Sequence, residues 1–196
     1  GQLLTEDYYV ANKLMKGYIG SANIDTNSRL CMSSTVAGHK RAFGADIVPG
    51  CYEDFDLADM IVLAGSNAAW CHPVLCNGLL NYLKQTGAVD AAFVAARTTG
   101  LEAALAAAAN ECADPHAVAR TCRIDPADLL GFYQSFAATK RVVTAFSQGV
   151  NQSSAGTDKV NSIINCHLLT GRIGKPGMGP FSLTGQPNAM GGREVG

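Results

Sequence analysis

Charge is scarce in this sequence of 196 residues: Asp, Glu, Lys and Arg make up 16% of it. Fifteen basic against sixteen acidic side chains leave a formal net charge of −1. Without a basic excess the chain is no general ligand for nucleic acid or other polyanions. With 47% hydrophobic residues it is not a disordered acidic tail either. Long apolar runs are also missing. Runs such as Met60–Ala64 and Ala103–Ala109 fall far short of the roughly 20 residues that cross a bilayer, so no membrane segment is expected. No basic stretch followed by an apolar one opens the chain, and a cytoplasmic location is the expectation.

Several site signatures are absent as well. The seven cysteines (31, 51, 71, 76, 112, 122, 166) include no C-x-x-C pair, which excludes a zinc ribbon and a thioredoxin-type redox motif. They read as reduced thiols, most of them buried. Cys71-His72 with Cys76, and Cys166-His167, set ligand types side by side, but adjacent ligands on one element rarely converge on one metal. There is no G-x-G-x-x-G, no Walker loop and no Ser-His-Asp or Cys-His context. His39, His72, His116 and His167 read as surface or satisfied core residues.

What is present is glycine, 21 residues of it, and a pattern of alternating strands and helices. Low charge and much glycine describe a chain that something else covers. Its opening Gly1-Gln2 and closing glycine-rich loop read as an excerpt from a longer protein. Thr5–Lys16 is expected as a helix with Thr5 at its N-cap and Gly17 past its end, and Tyr18–Arg29 as loop. Ser34–Phe43, Val74–Gln85, Ala91–Asn110, Ala127–Ala138 and Asp158–Leu169 are further helices. Asp125 caps the fourth of these with Pro126 at its first position, and Gly171 stops the last. Met60–Ala64 and Arg141–Phe146 suit buried parallel strands. The final 26 residues hold eight glycines and three prolines and are expected to be irregular. Glu53, Asp54, Asp56 and Asp59 read as a solvated face. The pattern specifies an α/β fold with a partial, doubly wound, mainly parallel sheet.

In such a sheet, ligands bind beyond the carboxyl ends of the strands. Two such ends stand out: Gly65-Ser66-Asn67 after the first strand, and Ser147-Gln148-Gly149 with Asn151-Gln152 after the second. Both combine backbone N–H groups, small residues that permit close approach, and uncharged polar side chains, a set suited to phosphates and purine edges. A plain structural turn explains each of them equally well. The residues alone reach an α/β domain for a nucleotide-like ligand.

Longer strings go further. The segment Asn23–Ser34, with Cys31 in its last third, resembles the molybdenum-ligand segment of the dimethyl sulfoxide reductase superfamily of molybdopterin-dependent oxidoreductases. Ala64-Gly65-Ser66-Asn67 and His72-Pro73 resemble its first dinucleotide-contact region. Gly174–Gly177, Phe181–Asn188 and Gly192-Arg193-Glu194 resemble its cofactor-and-funnel loop. The chain is similar, almost throughout, to part of the catalytic subunit of bacterial assimilatory nitrate reductases.

That resemblance implies Mo-bis(molybdopterin guanine dinucleotide), with Cys31 as the molybdenum ligand. It also implies dinucleotide contacts at Gln2, Asn27, Ala64, Gly65, Ser66, Asn67, Trp70, Gln148 and Gln152, the third to seventh lying in the stretch Ala64–Cys71. Arg193 corresponds to an arginine at the substrate funnel, its planar guanidinium matched to nitrate. The implied reaction is oxygen-atom transfer from nitrate, giving nitrite. Electrons would come from a donor protein or domain of NADH reductase, ferredoxin or flavodoxin type, through a [4Fe-4S] cluster whose cysteine ligands this chain lacks. The resemblance divides the chain into 1–75 with the ligand cysteine, a helix-rich 76–170, and the loop 171–196. It also places an internal gap at Cys76, where related chains carry a further helix, strand and Asp-Pro-Arg segment. Two alternatives stay open: a formate dehydrogenase-type enzyme, in which His usually follows the metal-binding residue where Met32 stands here, and a non-catalytic remnant.

Overall fold

A computed structural model of the chain describes residues 2–26, 28–65, 73–186, 188–189 and 191, the side chains of 28, 30 and 111 excepted. The described residues fall into two compact units, one of residues 1–33 with 183–196 and one of residues 34–182.

In the first unit, α1 (Thr5–Asn12) continues into a π-helical stretch, Lys13–Ile19. Leu4, not Thr5, is the N-cap: the Asp7 carboxylate accepts a hydrogen bond from the Leu4 N–H at 3.1 Å, and the Thr5 hydroxyl accepts one from Asn188. The helix also runs through Gly17 and stops at Gly20, whose φ of +73° turns the chain out of the helical region. The expected loop 18–29 is therefore shorter, and it ends in a single helical turn, α2 (Ser28–Cys31).

The second unit carries the sheet. Its first elements are α3 (Ser33–Phe43), α4 (Glu53–Leu57) and β1 (Met60–Ala64). Five helices follow: α5 (Pro73–Gln85), α6 (Ala91–Arg97), α7 (Leu101–Cys112), α8 (Pro115–Cys122) and α9 (Pro126–Ala138). Then come β2 (Val142–Phe146), α10 (Gln148–Asn151), α11 (Gly156–Leu169) and β3 (Gly179–Ser182). The strands are parallel in the order β1-β2-β3, with Met60 opposite Val142 and Val143 opposite Gly179. The α/β expectation holds.

β2 is buried along its whole length, as a near-continuous apolar central strand must be. Leu79, Leu80 and Leu83 of α5 pack with Tyr133 and Phe136 of α9, Val142 of β2 and Leu169 of α11 into the larger core. Phe146, Val150, Val160, Ile163 and Ile164 form a second cluster. Asp125 caps α9 by accepting from Ala127 N–H at 2.8 Å, with Pro126 at its first position. Asp114 and Asp90 cap α8 and α6 in the same way.

Three expectations need correction. Ala91–Asn110 is two helices, because Gly100 at φ +77° breaks the run after the Thr98 hydroxyl has closed α6 on the Val94 carbonyl. The glycine-rich tail contains β3, where Pro180 is tolerated because, among the described residues, β3 pairs with β2 alone. The acidic residues around α4 are not all solvated. Asp54 is buried, and its carboxylate accepts from Cys51 N–H at 2.8 Å and Gly177 N–H at 2.7 Å, pinning the loop before β3.

Candidate functional site

In the first unit, Cys31 closes the one-turn helix α2 and is half-buried. Its thiol donates to Gln186 Oε1 at 3.8 Å, and the Thr184 hydroxyl donates to the same oxygen at 2.6 Å. Gln2 is exposed at the start of this unit, and Asn188 donates to the Leu3 carbonyl next to it at 2.9 Å. Asn27 and Arg193 lie outside the described residues.

In the second unit, the register sets Ala64 opposite Phe146, so Gly65 and the segment Ser147–Gln152 emerge at the same end of the sheet. Gly65 turns away at φ +71°. The two backbones touch there: a Cβ on Gly149 would sit 2.0 Å from the Gly65 carbonyl oxygen. Glycine at both positions is what brings the chains this close. Gln148, half-buried, starts α10, and Gln152 just past it is exposed. Ala64, Gly65, Gln148 and Gln152 thus share one end of the sheet. Ser66, Asn67 and Trp70 lie outside the described residues.

A buried polar group backs this end. Asn151 Oδ1 accepts from the Thr35 hydroxyl, and the Asn151 carbonyl accepts from Ser34 Oγ at 2.7 Å. Ser182 at the end of β3 donates to Thr35 Oγ1 at 3.3 Å. Asn151 Nδ2 is buried and has no partner among the described residues. Thr35 carried no sequence signal and Ser182 only its place in the string Phe181–Asn188; neither was linked to Asn151 until α3 and β3 brought them together.

The other sulfur and imidazole groups have different chemistry. Burial pushes the Cys166 thiol up to about 12, and its Sγ points at the Cys76 carbonyl 3.3 Å away. Burial, with Arg172 nearby, lowers His167 to about 3, and its Nε2 lies 2.8 Å from the Thr144 hydroxyl. A thiol held protonated and an imidazole already engaged make a poor ligand pair. His39 is fully buried and lowered too, burial outweighing Asp46 beside it. Among the described residues no three of His, Cys, Asp and Glu are grouped to hold a metal ion. Cys31 has the donor character a soft, redox-active metal takes, an accessible sulfur with an amide partner. At the strand ends of the second unit the backbones of Gly65 and Gly149 are packed directly on one another. By donor type, Cys31 fits a molybdenum ligand.

Comparison with known proteins identifies the family. The family model "Molybdopterin oxidoreductase" matches residues 1–196. The chain is 47% identical over 239 aligned residues to a nitrate reductase of Shewanella frigidimarina, covering 100% of this chain and 26% of that protein. It is 48% identical over 240 to one of Klebsiella oxytoca, covering 100% and 27%. Identity to a periplasmic nitrate reductase of Desulfovibrio desulfuricans is 32% over 243, covering 98% and 32%. The chain thus spans about a quarter to a third of the length of these relatives.

Proposed function

This chain belongs to the molybdopterin oxidoreductase family, and on that footing we propose that it is the cofactor-binding part of a nitrate reductase of the assimilatory, cytoplasmic kind. The observation that carries the reading is Cys31: a half-buried thiol on a one-turn helix, inside the segment that resembles the metal-ligand segment of the family. Cys31 would hold the molybdenum. The cofactor, Mo-bis(molybdopterin guanine dinucleotide), supplies two-electron oxygen-atom transfer when bound.

The chain's own residues do the holding. The Cys31 thiol donates to Gln186 Oε1, so a thiolate there calls for Gln186 to turn its amide N–H toward the sulfur. Thr184, which now donates to Gln186, can rotate its hydroxyl to follow. Ala64, Gly65, Gln148 and Gln152 offer the contacts for a dinucleotide, with Gln2, Asn27, Ser66, Asn67 and Trp70 as further ones. Arg193 would receive nitrate, a planar oxyanion, on a planar guanidinium. A [4Fe-4S] cluster and a donor of NADH reductase, ferredoxin or flavodoxin type belong to the whole protein. The cytoplasmic assignment draws support from Cys31, Cys51, Cys76, Cys112, Cys122 and Cys166, none of them in a disulfide. No helix among the described residues is long and apolar enough to cross a membrane.

The test is molybdenum content by elemental mass spectrometry, on chain made in a host that synthesises the dinucleotide cofactor. We expect close to one molybdenum per chain, lost in Cys31→Ser. Equal metal in both proteins would remove Cys31 from the site. A second reading, a non-catalytic remnant, is favoured by the relatives' greater aligned length, 239 and 240 positions against 196 residues here. Absence of metal from both proteins would decide for it.

A further inference from the structure

In the first unit the Cys31 thiol meets Gln186, donating to its Oε1 at 3.8 Å. Two hydrogen bonds join Gln186 in turn to Thr184. The Thr184 hydroxyl donates to Oε1 at 2.6 Å and accepts from the Gln186 backbone N–H at 3.4 Å. Both residues are half-buried, which limits competition from water. The loop that carries them is tied down just beyond: Asn188 Nδ2 donates to the Leu3 carbonyl at 2.9 Å and to the Thr5 hydroxyl at 3.2 Å. On the other side, an ion pair between Asp25 and Arg29 braces α2, the single turn that presents Cys31. The string Phe181–Asn188 gave Thr184 no role of its own.

A hydroxyl is donor and acceptor at once and turns to suit its neighbour, whereas what a sulfur needs depends on its charge. A thiol gives its hydrogen to an amide oxygen; a thiolate takes one from an amide nitrogen. Thr184 serves both orientations of the Gln186 amide. It donates to Oε1 in the arrangement seen here, and with the amide turned it accepts from Nε2–H. Valine, of nearly the same shape, serves neither orientation, and serine serves both.

We propose that Thr184 is a positioning residue for the ligand cysteine: its hydroxyl holds the Gln186 side-chain amide against the Cys31 sulfur. Thr184 acts through Gln186, by keeping the amide in place whichever of its two ends the sulfur requires. This assignment rests on the function proposed above for the role of Cys31, while the hydrogen bonds themselves need no metal.

The experiment is alkylation of the whole chain by iodoacetamide at one fixed pH, with peptide mass spectrometry giving the rate at Cys31. The chain is made in a host without the dinucleotide cofactor. Exposed Cys51, in the other unit, is the internal reference, and buried Cys166 reports general loosening. Thr184→Val releases the amide from the sulfur and should speed alkylation of Cys31 about fivefold relative to Cys51, the worth of one hydrogen bond. Thr184→Ser should keep the parent rate. Gln186→Ala should speed Cys31 at least as much as Thr184→Val does. Adding Thr184→Val to it should change nothing further, because Thr184 then has no amide to hold. Serine as fast as valine, an unchanged rate in Thr184→Val, or effects that add in the double variant would each overturn the proposal. A Thr184→Val chain in which Cys166 reacts as well is replaced by Thr184→Ala, read by the same criteria. Molybdenum content is measured separately, on the chains made in a host that synthesises the cofactor. Its absence from all of them would sink the functional reading, while the alkylation rates still decide the role of Thr184.

Discussion

Asp54 shows how far a single residue departs from its sequence context. It sits among Glu53, Asp56 and Asp59, yet it alone is buried, with two backbone N–H groups on its carboxylate. Asp54→Asn turns one acceptor into a donor facing a donor, and should destabilise by about 1–3 kcal/mol in urea unfolding. His167 makes a pH-dependent contribution. Its folded value, about 3, lies below the ordinary 6.5, so between those limits the unfolded chain binds a proton that the folded one refuses. Stability must therefore fall as pH drops from 6.5 toward 3, by up to about 1.4 kcal/mol per pH unit from this group. His39 acts in the same direction. His167→Gln removes the titration and should flatten that part of the stability–pH curve, measured by urea midpoints from pH 7 to pH 4. An unchanged slope would show that His167 takes up its proton without unfolding.

At the scale of elements, the contact between the ends of β1 and α10 is the tightest constraint on the candidate site. A Cβ on Gly149 meets backbone, not a side chain that can swing away. Gly149→Ala must force the two strand ends apart, at a cost of about 1–3 kcal/mol or more. Lower thermal midpoints with local loss of exchange protection at 64–65 and 147–150 would record it. A midpoint equal to that of the parent chain would mean the ends can separate freely. The helix boundaries teach a related lesson. α9 was legible because Asp125-Pro126 is a local signal with a local cause. The break between α6 and α7 rests on Gly100 at positive φ, which the run of alanines around it concealed. β3 was hidden in glycine and proline, because a four-residue strand draws its stability from β2 rather than from its own sequence.

For the molecule as a whole, the larger core decides whether the second unit holds together. Leu83 has no exposed surface and lies at the centre of that core. Leu83→Ala should cost about 2–5 kcal/mol, seen as a lower urea midpoint with the slope unchanged. A changed slope would show instead that the unit no longer unfolds as one. The chain covers about a quarter of the length of the Shewanella and Klebsiella relatives.

The sequence by itself determined the fold class, the two longer strands, most of the helices and the family, because these rest on local periodicity, caps and long specific strings. It also singled out Cys31 and the two strand ends. Tertiary structure alone decided which of these strand-end residues come together. Gly65 and Gly149 are 84 positions apart and meet only through the β1–β2 register. Asn151, Thr35 and Ser182 become a buried polar group only when α3, α10 and β3 are packed. The exposure of Ile61 and Leu63 likewise depends on what packs against β1, which no property of either residue in the sequence records.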